Sequence, residues 1–156
     1  MESGEVLGSV MRRYPTGVSV VTVDANGQRV GLTVATLVTL SLDPPLVGVA
    51  VARQAALHEL LGEAGGFGVS LLAAGQEHVA QHFARGVPPI AMWHGIDVEP
   101  GDGPPLLSGA VGWLRCTLRS RHESGTHSLF VGGVDEARPG AEGPPLVRLG
   151  GGYTAP

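Results

Sequence analysis

The sequence contains no lysine: all ten of its basic residues are arginines. A Schiff base to a carbonyl or to pyridoxal phosphate needs a primary amine, and so does the phosphate-binding loop of P-loop nucleotidases. Both kinds of site are therefore excluded. The arginines are scattered through a chain whose formal net charge is −4, and no basic stripe exists that could neutralise a nucleic acid backbone. We therefore expect no nucleic acid partner.

Cysteine and long apolar runs are also scarce. The single cysteine, Cys116, cannot form a disulfide within the chain, which is typical of proteins from a reducing compartment. No stretch reaches the length of a membrane span, about 18 consecutive apolar residues. The first four residues, Met-Glu-Ser-Gly, lack the basic and apolar segments of a secretion signal. We expect a soluble, cytoplasmic protein with no membrane partner.

Several catalytic signatures are missing as well. No Gly-x-Gly-x-x-Gly follows a strand pattern, which excludes a Rossmann dinucleotide-binding domain, and no Gly-x-Ser-x-Gly nucleophile elbow is present. The carboxylates Asp97, Glu99 and Asp102 lie in a loop rich in glycine and proline. We expect them to be solvated, which argues against paired carboxylates for acid–base hydrolysis.

Glycine and proline are abundant, with 25 and 12 residues in a chain of 156, while 43% of the residues are hydrophobic. A chain of this length can bury about 70% of the surface that its unfolded form exposes, which is enough for one core. We therefore predict a single domain over residues 1–156. Frequent turns favour short strands over a helical bundle, and closing the sheet removes its exposed edges. The predicted fold class is mainly β, a β-barrel with short flanking helices.

Local patterns predict about seven strands with short helices at intervals. Asn26 and Gly27 favour a tight hairpin between strands at residues 18–23 and 28–35. Ser3 can cap a helix over residues 5–13, whose apolar face we expect to lie against a sheet. The remaining predictions are helices at residues 55–61 and 75–84, strands at 67–72, 111–122, 127–137 and 146–149, and a loop at 86–105.

The most informative segment runs over residues 31–51. Hydroxylated residues interleave with apolar ones in it: Thr33, Thr36, Thr39 and Ser41. The apolar and β-branched residues favour extended chain, while hydroxyls and free backbone amides face a polar ligand. Pro44 and Pro45 then end the strand pairing, because neither has an N–H group for a ladder. The segment is similar to the wall of a flavin site.

Two further segments extend this similarity. Pro15-Thr16-Gly17 precedes the wall, and Gly125-Thr126-His127 follows it. In this order the segments resemble the flavin reductase-like family of FMN-binding split barrels, over about residues 10–153. The resemblance implies a split barrel that forms a homodimer with flavin at the subunit interface. It also implies an NAD(P)H:flavin oxidoreductase, which reduces FMN or FAD with NADH or NADPH and supplies diffusible reduced flavin to a partner flavin-dependent monooxygenase.

The resemblance also assigns roles to residues. His127 matches a catalytic histidine that contacts the nicotinamide, and Thr126 stands where an acidic residue is common. Thr16 and Gly17 match the flavin ring edge, while Thr39 and Ser41 match the phosphate end. Backbone amides of residues 33–36 suit the negative charge that develops around the flavin N1 and C2 carbonyl. The full set of flavin-binding candidates is Thr16, Gly17, Thr33, Val34, Ala35, Thr36, Thr39, Ser41 and Arg53; no metal is implied.

A rival interpretation stays open. Ala35 and Leu37 stand where family members often have a polar and an aromatic residue. Gln54-Ala55-Ala56 replaces a hydroxyl-rich phosphate grip, although Arg53 can pair with a phosphate. These departures favour a dissociable flavin, or a repurposed barrel that binds flavin or another flat aromatic ligand without nicotinamide turnover. A flavin-independent barrel enzyme acting on an apolar small molecule is the third alternative.

The other histidines carry less information. His78 and His82 have the i, i+4 spacing of metal ligands on a helix, but no third ligand follows them in the sequence. We expect His58 and His94 to lie on the surface. His122 ends a charged strand segment, which also favours a surface position.

Overall fold

Strands make up most of the regular structure. The computed structural model describes residues 2–85 and 88–156 and contains four helices and ten strands within them. The helices are α1 (Ser3–Met11), α2 (Ala56–Ala64), α3 (Glu77–Ala84) and α4 (Pro89–Met92). The strands are β1 (Thr16–Gly17), β2 (Ser19–Ala25), β3 (Gln28–Val34), β4 (Val38–Leu42), β5 (Pro45–Ala52), β6 (Gly66–Leu71), β7 (Gly112–Ser124), β8 (His127–Pro139), β9 (Val147–Leu149) and β10 (Gly152–Thr154).

The strands form two antiparallel sheets. Seven of them pair in the order β3-β2-β6-β7-β8-β5-β4, and the other three pair in the order β1-β9-β10. The long hairpin of β7 and β8 lies at the centre of the large sheet, and two register shifts in it increase the local twist. The small sheet joins residues that follow α1 to residues near the end of the chain, because Thr16 pairs with Arg148.

The large sheet must curl, because its two edge strands are consecutive in the chain. β3 and β4 lie at opposite edges and are joined only by residues 35–37, a link that can span at most about 14 Å. We call this link the crossing segment. Thr36 in it donates a hydrogen bond from Oγ1 to the Ala50 carbonyl (2.7 Å) and accepts one from the Ala50 N–H (3.2 Å). The crossing segment therefore closes the sheet into a split barrel, and Thr36 fastens it to β5.

Apolar side chains from the sheet and two helices fill the interior. Phe67, Phe83 and Phe130 are fully buried, and burial of side chains this large contributes roughly 1.5–3 kcal/mol each. α2 contributes Leu57 and Leu61 and ends at Gly65, which has a positive φ. α3 packs on the barrel through the face that contains Phe83.

Most of the local predictions are confirmed. The Asn26-Gly27 turn joins β2 to β3, with both residues at positive φ and Ala25 paired to Gln28. The helices at residues 55–61 and 75–84 are present as α2 and α3 with shifted ends. In the part of the chain that the structure describes, no helix is long and apolar enough to cross a membrane.

Two predictions about α1 are wrong. Ser3 is the first helical residue, Glu2 is the N-cap, and no side chain caps the helix. None of its residues is buried, so its apolar face does not pack against a sheet of the same chain. Within the described residues, two hydrogen bonds just past its end connect the helix to the rest of the chain: the Arg12 guanidinium donates to the Gly150 carbonyl (2.9 Å), and the Gly150 N–H donates to the Arg12 carbonyl (2.9 Å).

Two loop predictions also need correction. Pro44 and Pro45 do not end the pairing, because Pro45 is the first residue of β5 and pairs with Leu42. Proline fits there since a first residue need not donate to the ladder. The predicted loop at residues 86–105 contains α4 and a bridge between Val98 and Leu107; Gly86 and Val87, also part of that prediction, lie outside the described residues.

Candidate active site

The crossing segment and the end of β3 form the predicted flavin wall. Val34 is buried, whereas Ala35 and Thr36 are exposed. Ala35 lines two hollows, of about 280 and 220 Å³. Thr33 and Val34 line the smaller of these. A residue with no side chain beyond Cβ leaves room at this point, so a flat group can approach the backbone of the wall.

Two of the wall hydroxyls are not directed at a ligand. Thr33 Oγ1 donates to the Ala80 carbonyl at 2.7 Å and thereby holds α3 on β3. Thr36 Oγ1 is occupied by the backbone of Ala50. The expectation that these hydroxyls face a polar ligand is therefore wrong for Thr33 and Thr36. These two side chains hold the wall in place, and the groups of residues 33–36 that remain for a ligand are those of the backbone.

Thr39 and Ser41 do not share a face. A register shift lies between them, so Thr39 pairs with Val47 while Ser41 pairs with Leu46. Cross-strand partners point to the same side of a sheet and neighbouring residues alternate. Thr39 therefore lies on the side of the buried Val47, and Ser41 lies on the opposite side. In a regular strand, residues two apart point to the same side of the sheet; the bulge between Thr39 and Ser41 removes this relation.

Thr16 has a polar atom without a partner. Its Oγ1 is buried and makes no hydrogen bond in the described part of the chain, and other atoms of Thr16 line the same hollow as Ala35. Buried hydroxyls are almost always satisfied, and an orphan one marks a place where a bound group can supply the partner. Gly17, the next residue, lines an adjacent hollow of about 200 Å³. These residues fit a polar ring edge at this position.

His127 opens β8 beside the end of β5. It is half-buried, pairs with Ala52, and its Nδ1 lies 2.9 Å from Thr126 Oγ1. When the threonine hydroxyl donates to Nδ1, the neutral ring carries its hydrogen on Nε2 and can donate it to a substrate. Thr126 thus orients the imidazole through a neutral hydrogen bond.

Arg53 packs against the turn that precedes His127. Its backbone N–H donates to the Thr126 carbonyl at 2.9 Å, and its guanidinium donates to the Gly125 carbonyl at 3.2 Å. The side chain is exposed, so its remaining N–H groups can bind an anion. Arg53 and His127 are therefore neighbours in space, although 73 residues separate them in the sequence.

A strip of small residues connects the wall to His127. Ala50 bonds to Thr36, and Ala52, two residues further along β5, pairs with His127. Residues two apart in a strand share a face and lie about 6.6 Å apart. Thr36 therefore lies along one flank of β5 at Ala50, His127 lies along the other flank at Ala52, and Arg53 follows the end of the strand.

Two residues that the sequence did not suggest line the other side of the wall. Arg148 and Tyr153 both border the hollow that contains Thr33, Val34 and Ala35. The Arg148 guanidinium lies over the Tyr153 ring, 5.0 Å from its centroid. The one available signal was a single charge in the short apolar strand at residues 146–149, which gives no direction to the side chain.

Two histidines are bonded inside the protein. His58, expected on the surface, is half-buried, lies 2.8 Å from the buried Ser128 Oγ through Nε2, and packs edge-on against Phe130. His82 donates from Nε2 to the Met92 carbonyl at 2.6 Å. That bond occupies one of the two ring nitrogens that could ligate a metal, and residues 2–85 and 88–156 contain no cluster of three or more metal-ligating side chains.

The lone cysteine cannot serve as a nucleophile. Cys116 is buried, and burial followed by the charge of Asp135 raises the pKa of its thiol to about 12. The thiolate is the reactive form of cysteine. The side chain is therefore neutral and inert near pH 7, and it acts as a core residue between β6 and β8.

Known proteins were compared with the chain as a whole. The model of the family described as "Flavin reductase like domain" matches residues 11–155. The chain is 41% identical to the reductase component of 4-hydroxyphenylacetate 3-monooxygenase from Thermus thermophilus, covering 96% of this chain and 94% of that protein. It is 38% identical to an NADH-dependent FMN reductase from Streptomyces nodosus subsp. asukaensis, covering 92% and 80% respectively.

Solved structures agree with these relatives. The NADH:FAD oxidoreductase of Streptomyces globisporus, in complex with NAD and FAD fragments, superimposes with a TM-score of 0.90 at 34% identity, covering 97% of this chain and 92% of that one. The predicted split-barrel fold and the predicted redox chemistry are both confirmed. The chain belongs to the flavin reductase-like family and is an NAD(P)H-dependent flavin reductase.

Proposed function

We propose that the flavin ring binds at the split of the barrel, against the backbone of residues 33–36, with its edge at Thr16 and Gly17. The observation that carries this proposal is the crossing segment, where Thr36 is fixed to Ala50 and Ala35 leaves open space. Thr16, whose buried hydroxyl has no partner in the described chain, lines the same hollow as Ala35 and supports the proposal. Backbone N–H groups of the wall can stabilise negative charge on a ring without a charged side chain.

His127 binds and orients the nicotinamide on the outer face of β5. A bound flavin supplies the chemistry, because it accepts a hydride from the reduced nicotinamide. His127 donates one hydrogen bond from Nε2 toward the carboxamide, with Thr126 fixing the orientation of the imidazole. Arg53, exposed beside the same turn, attracts a phosphate of either nucleotide. Thr39 and Ser41 remain phosphate candidates, each from its own side of β4.

A second copy of the chain covers the site. The apolar side chains of β4 are open to solvent, with Leu42 85% exposed, and those of α1 have no partner within the described chain. Met11 of α1 and Tyr14, three residues beyond it, line the same hollow as Ala35, so the apolar surface of α1 adjoins the flavin wall. Contiguous exposed apolar surface marks an interface. A homodimer with the flavin between its subunits accounts for all three observations.

The product is reduced flavin that leaves the protein. The names of two relatives connect them to a 4-hydroxyphenylacetate 3-monooxygenase and to a two-component tryptophan halogenase, and this chain supplies a partner monooxygenase in the same way. The replacement of a hydroxyl-rich phosphate grip by Gln54-Ala55-Ala56 fits a flavin that dissociates. The chain acts as one domain in the cytoplasm, where its lone buried thiol stays reduced. The relatives favour this reaction over a repurposed, non-reducing barrel.

Anaerobic mixing of the protein with NADH and FMN tests the proposal. The oxidised-flavin absorbance should bleach, and His127→Ala should lower kcat/KM for NADH about 5- to 150-fold while the affinity for FMN stays unchanged. His122→Ala is the matched control, because His122 is an exposed histidine on β7 bonded only to Ser120 in the described structure. Equal kinetics for the two variants would remove the role of His127. No bleaching with either flavin and either nicotinamide nucleotide would overturn the proposed function.

A further inference from the structure

Three hollows meet around the hairpin of β9 and β10. The largest, about 600 Å³, lies between this hairpin and α3. It adjoins the hollows of about 280 and 220 Å³ that contain Ala35. Arg148 lines all three. A side chain shared by three connected spaces, one of which contains the flavin wall, is placed to contact whatever extends from that wall.

The charge around these hollows is one-sided. Arg12, Arg85 and Arg148, three of the ten arginines, line them, together with His78 and His82. The chain has fourteen carboxylates, yet none lines these hollows in the described part of the molecule. In a chain with a net charge of −4, this separation creates a local positive potential that attracts an anion.

Arg148 differs from the other stacked arginine of the chain. Arg138 lies over the Trp113 ring at 4.6 Å, and its guanidinium is 3.6 Å from the Glu99 carboxylate. Arg148 lies over Tyr153 at 5.0 Å, and within the described residues no carboxylate forms an ion pair with it. Contact with the ring limits the motion of the guanidinium, and its N–H groups remain available for a two-pronged contact with a phosphate.

We propose that Arg148, placed over the Tyr153 ring, binds a phosphoryl group of a nucleotide substrate of this enzyme. The proposal rests on the proposed function, because it places the ring of that substrate at the wall and the phosphate in the cationic hollows. The shared chemistry is a phosphate ester or diphosphate. Both the flavin nucleotide and the nicotinamide nucleotide carry one, and the substrates of the test separate them.

The test compares Arg148→Ala with wild type on substrates with and without phosphate. FMN is paired with riboflavin, and NADH is paired with N-benzyl-1,4-dihydronicotinamide, since each second compound keeps the reacting ring and lacks phosphate. Loss of a charged, two-pronged contact should raise the KM of the phosphate-bearing substrate roughly 10- to 100-fold. Arg138→Ala is the matched control: it removes an arginine of the same kind from an aromatic ring, away from the hollows.

Each outcome decides the matter. A KM raised for FMN but not for riboflavin assigns Arg148 to the flavin phosphate. A KM raised for NADH but not for N-benzyl-1,4-dihydronicotinamide assigns it to the nicotinamide nucleotide. Equal changes for both members of each pair, or no change, overturn the proposal. An inactive wild type would instead count against the proposed function.

A second variant separates binding from folding. Arg148→Lys keeps the charge but loses the planar fork, so it should fold with an unchanged Tm and show an intermediate rise in the same KM. Inorganic pyrophosphate should inhibit wild type competitively against the assigned nucleotide and inhibit Arg148→Lys less. Pyrophosphate inhibition that is identical in wild type and Arg148→Lys would contradict a phosphate contact at Arg148.

Discussion

The two edges of the large sheet are treated in opposite ways. The edge at β3 is covered by its own chain: Thr33 bonds to Ala80 of α3, the Gly31 N–H donates to Met92 Sδ at 3.3 Å, and Trp93 donates to the Arg29 carbonyl at 2.8 Å. The edge at β4 leaves Val38, Leu40 and Leu42 exposed.

An uncovered strand edge invites pairing with another chain. The chain covers one edge with its own helices and leaves the apolar side chains of the other edge exposed, which fits the homodimer proposed above. The crossing segment joins the two edges, and the proposed flavin site lies on it. The proposed site therefore lies between the covered edge and the exposed edge of the sheet.

The largest effect is expected at the covered edge, from Phe83→Ala. Phe83 is fully buried, and its ring lies under Gly31 of β3. Truncation leaves a cavity and should lower the free energy of unfolding by about 3–5 kcal/mol, measured by urea denaturation. Ile90→Ala on α4 is the control, since Ile90 is 96% exposed and should change stability by less than about 0.5 kcal/mol. Similar losses in both variants would show that α3 does not support this edge.

At the uncovered edge, Leu40→Asp should separate the subunits. A charge in an apolar interface is desolvated without a partner, so the dimer dissociation constant should rise about 100-fold while the monomer keeps its fold. Sedimentation velocity across micromolar concentrations measures this. Val98→Asp changes an exposed apolar residue outside β4 and should leave the association unchanged. A wild type that sediments as a monomer at these concentrations would show that the β4 edge is not a subunit interface.

Between the edges, Thr36→Val should weaken the closure of the barrel. The valine keeps the shape but cannot donate to the Ala50 carbonyl or accept from its N–H, which should cost about 1–2 kcal/mol of unfolding free energy. Thr36→Ser keeps the hydroxyl and should recover most of the loss in the same denaturation experiment. If serine and valine are equally destabilising, the methyl group rather than the hydroxyl holds the crossing segment.

Local sequence chemistry accounts for much of the fold. The positive φ that Asn26 and Gly27 tolerate is a property of those residues, and the apolar spacing of α2 and α3 is read within one helix. The surface against which α1 packs could not be predicted in this way, because the apolar pattern of the helix is the same whether it packs on its own sheet or on another chain. The bulge between Thr39 and Ser41 depends on the register with β5, which two separated segments set together.

The candidate site was predicted in outline but not in its contacts. The wall, Thr16 and His127 were found by resemblance, whereas the partners of the wall hydroxyls come from residues 14 and 47 positions away. Arg148 and Tyr153 reach the wall only because β9 pairs with β1. His58 meets Ser128 across 70 residues. Contacts of this range depend on the closed barrel, and no local pattern contains them.

The position of the flavin at the crossing segment is the central claim, and the affinity of Ala35→Glu for FMN tests it most directly. Ala35 is exposed and lines two hollows. The glutamate side chain should therefore occupy these hollows and repel a phosphate without disturbing the core. Ala141→Glu, at an exposed alanine outside these hollows, is the control. Titration followed by flavin fluorescence should show the dissociation constant raised at least about tenfold, with an unchanged Tm. An affinity equal to that of wild type and Ala141→Glu would place the flavin elsewhere and contradict the account.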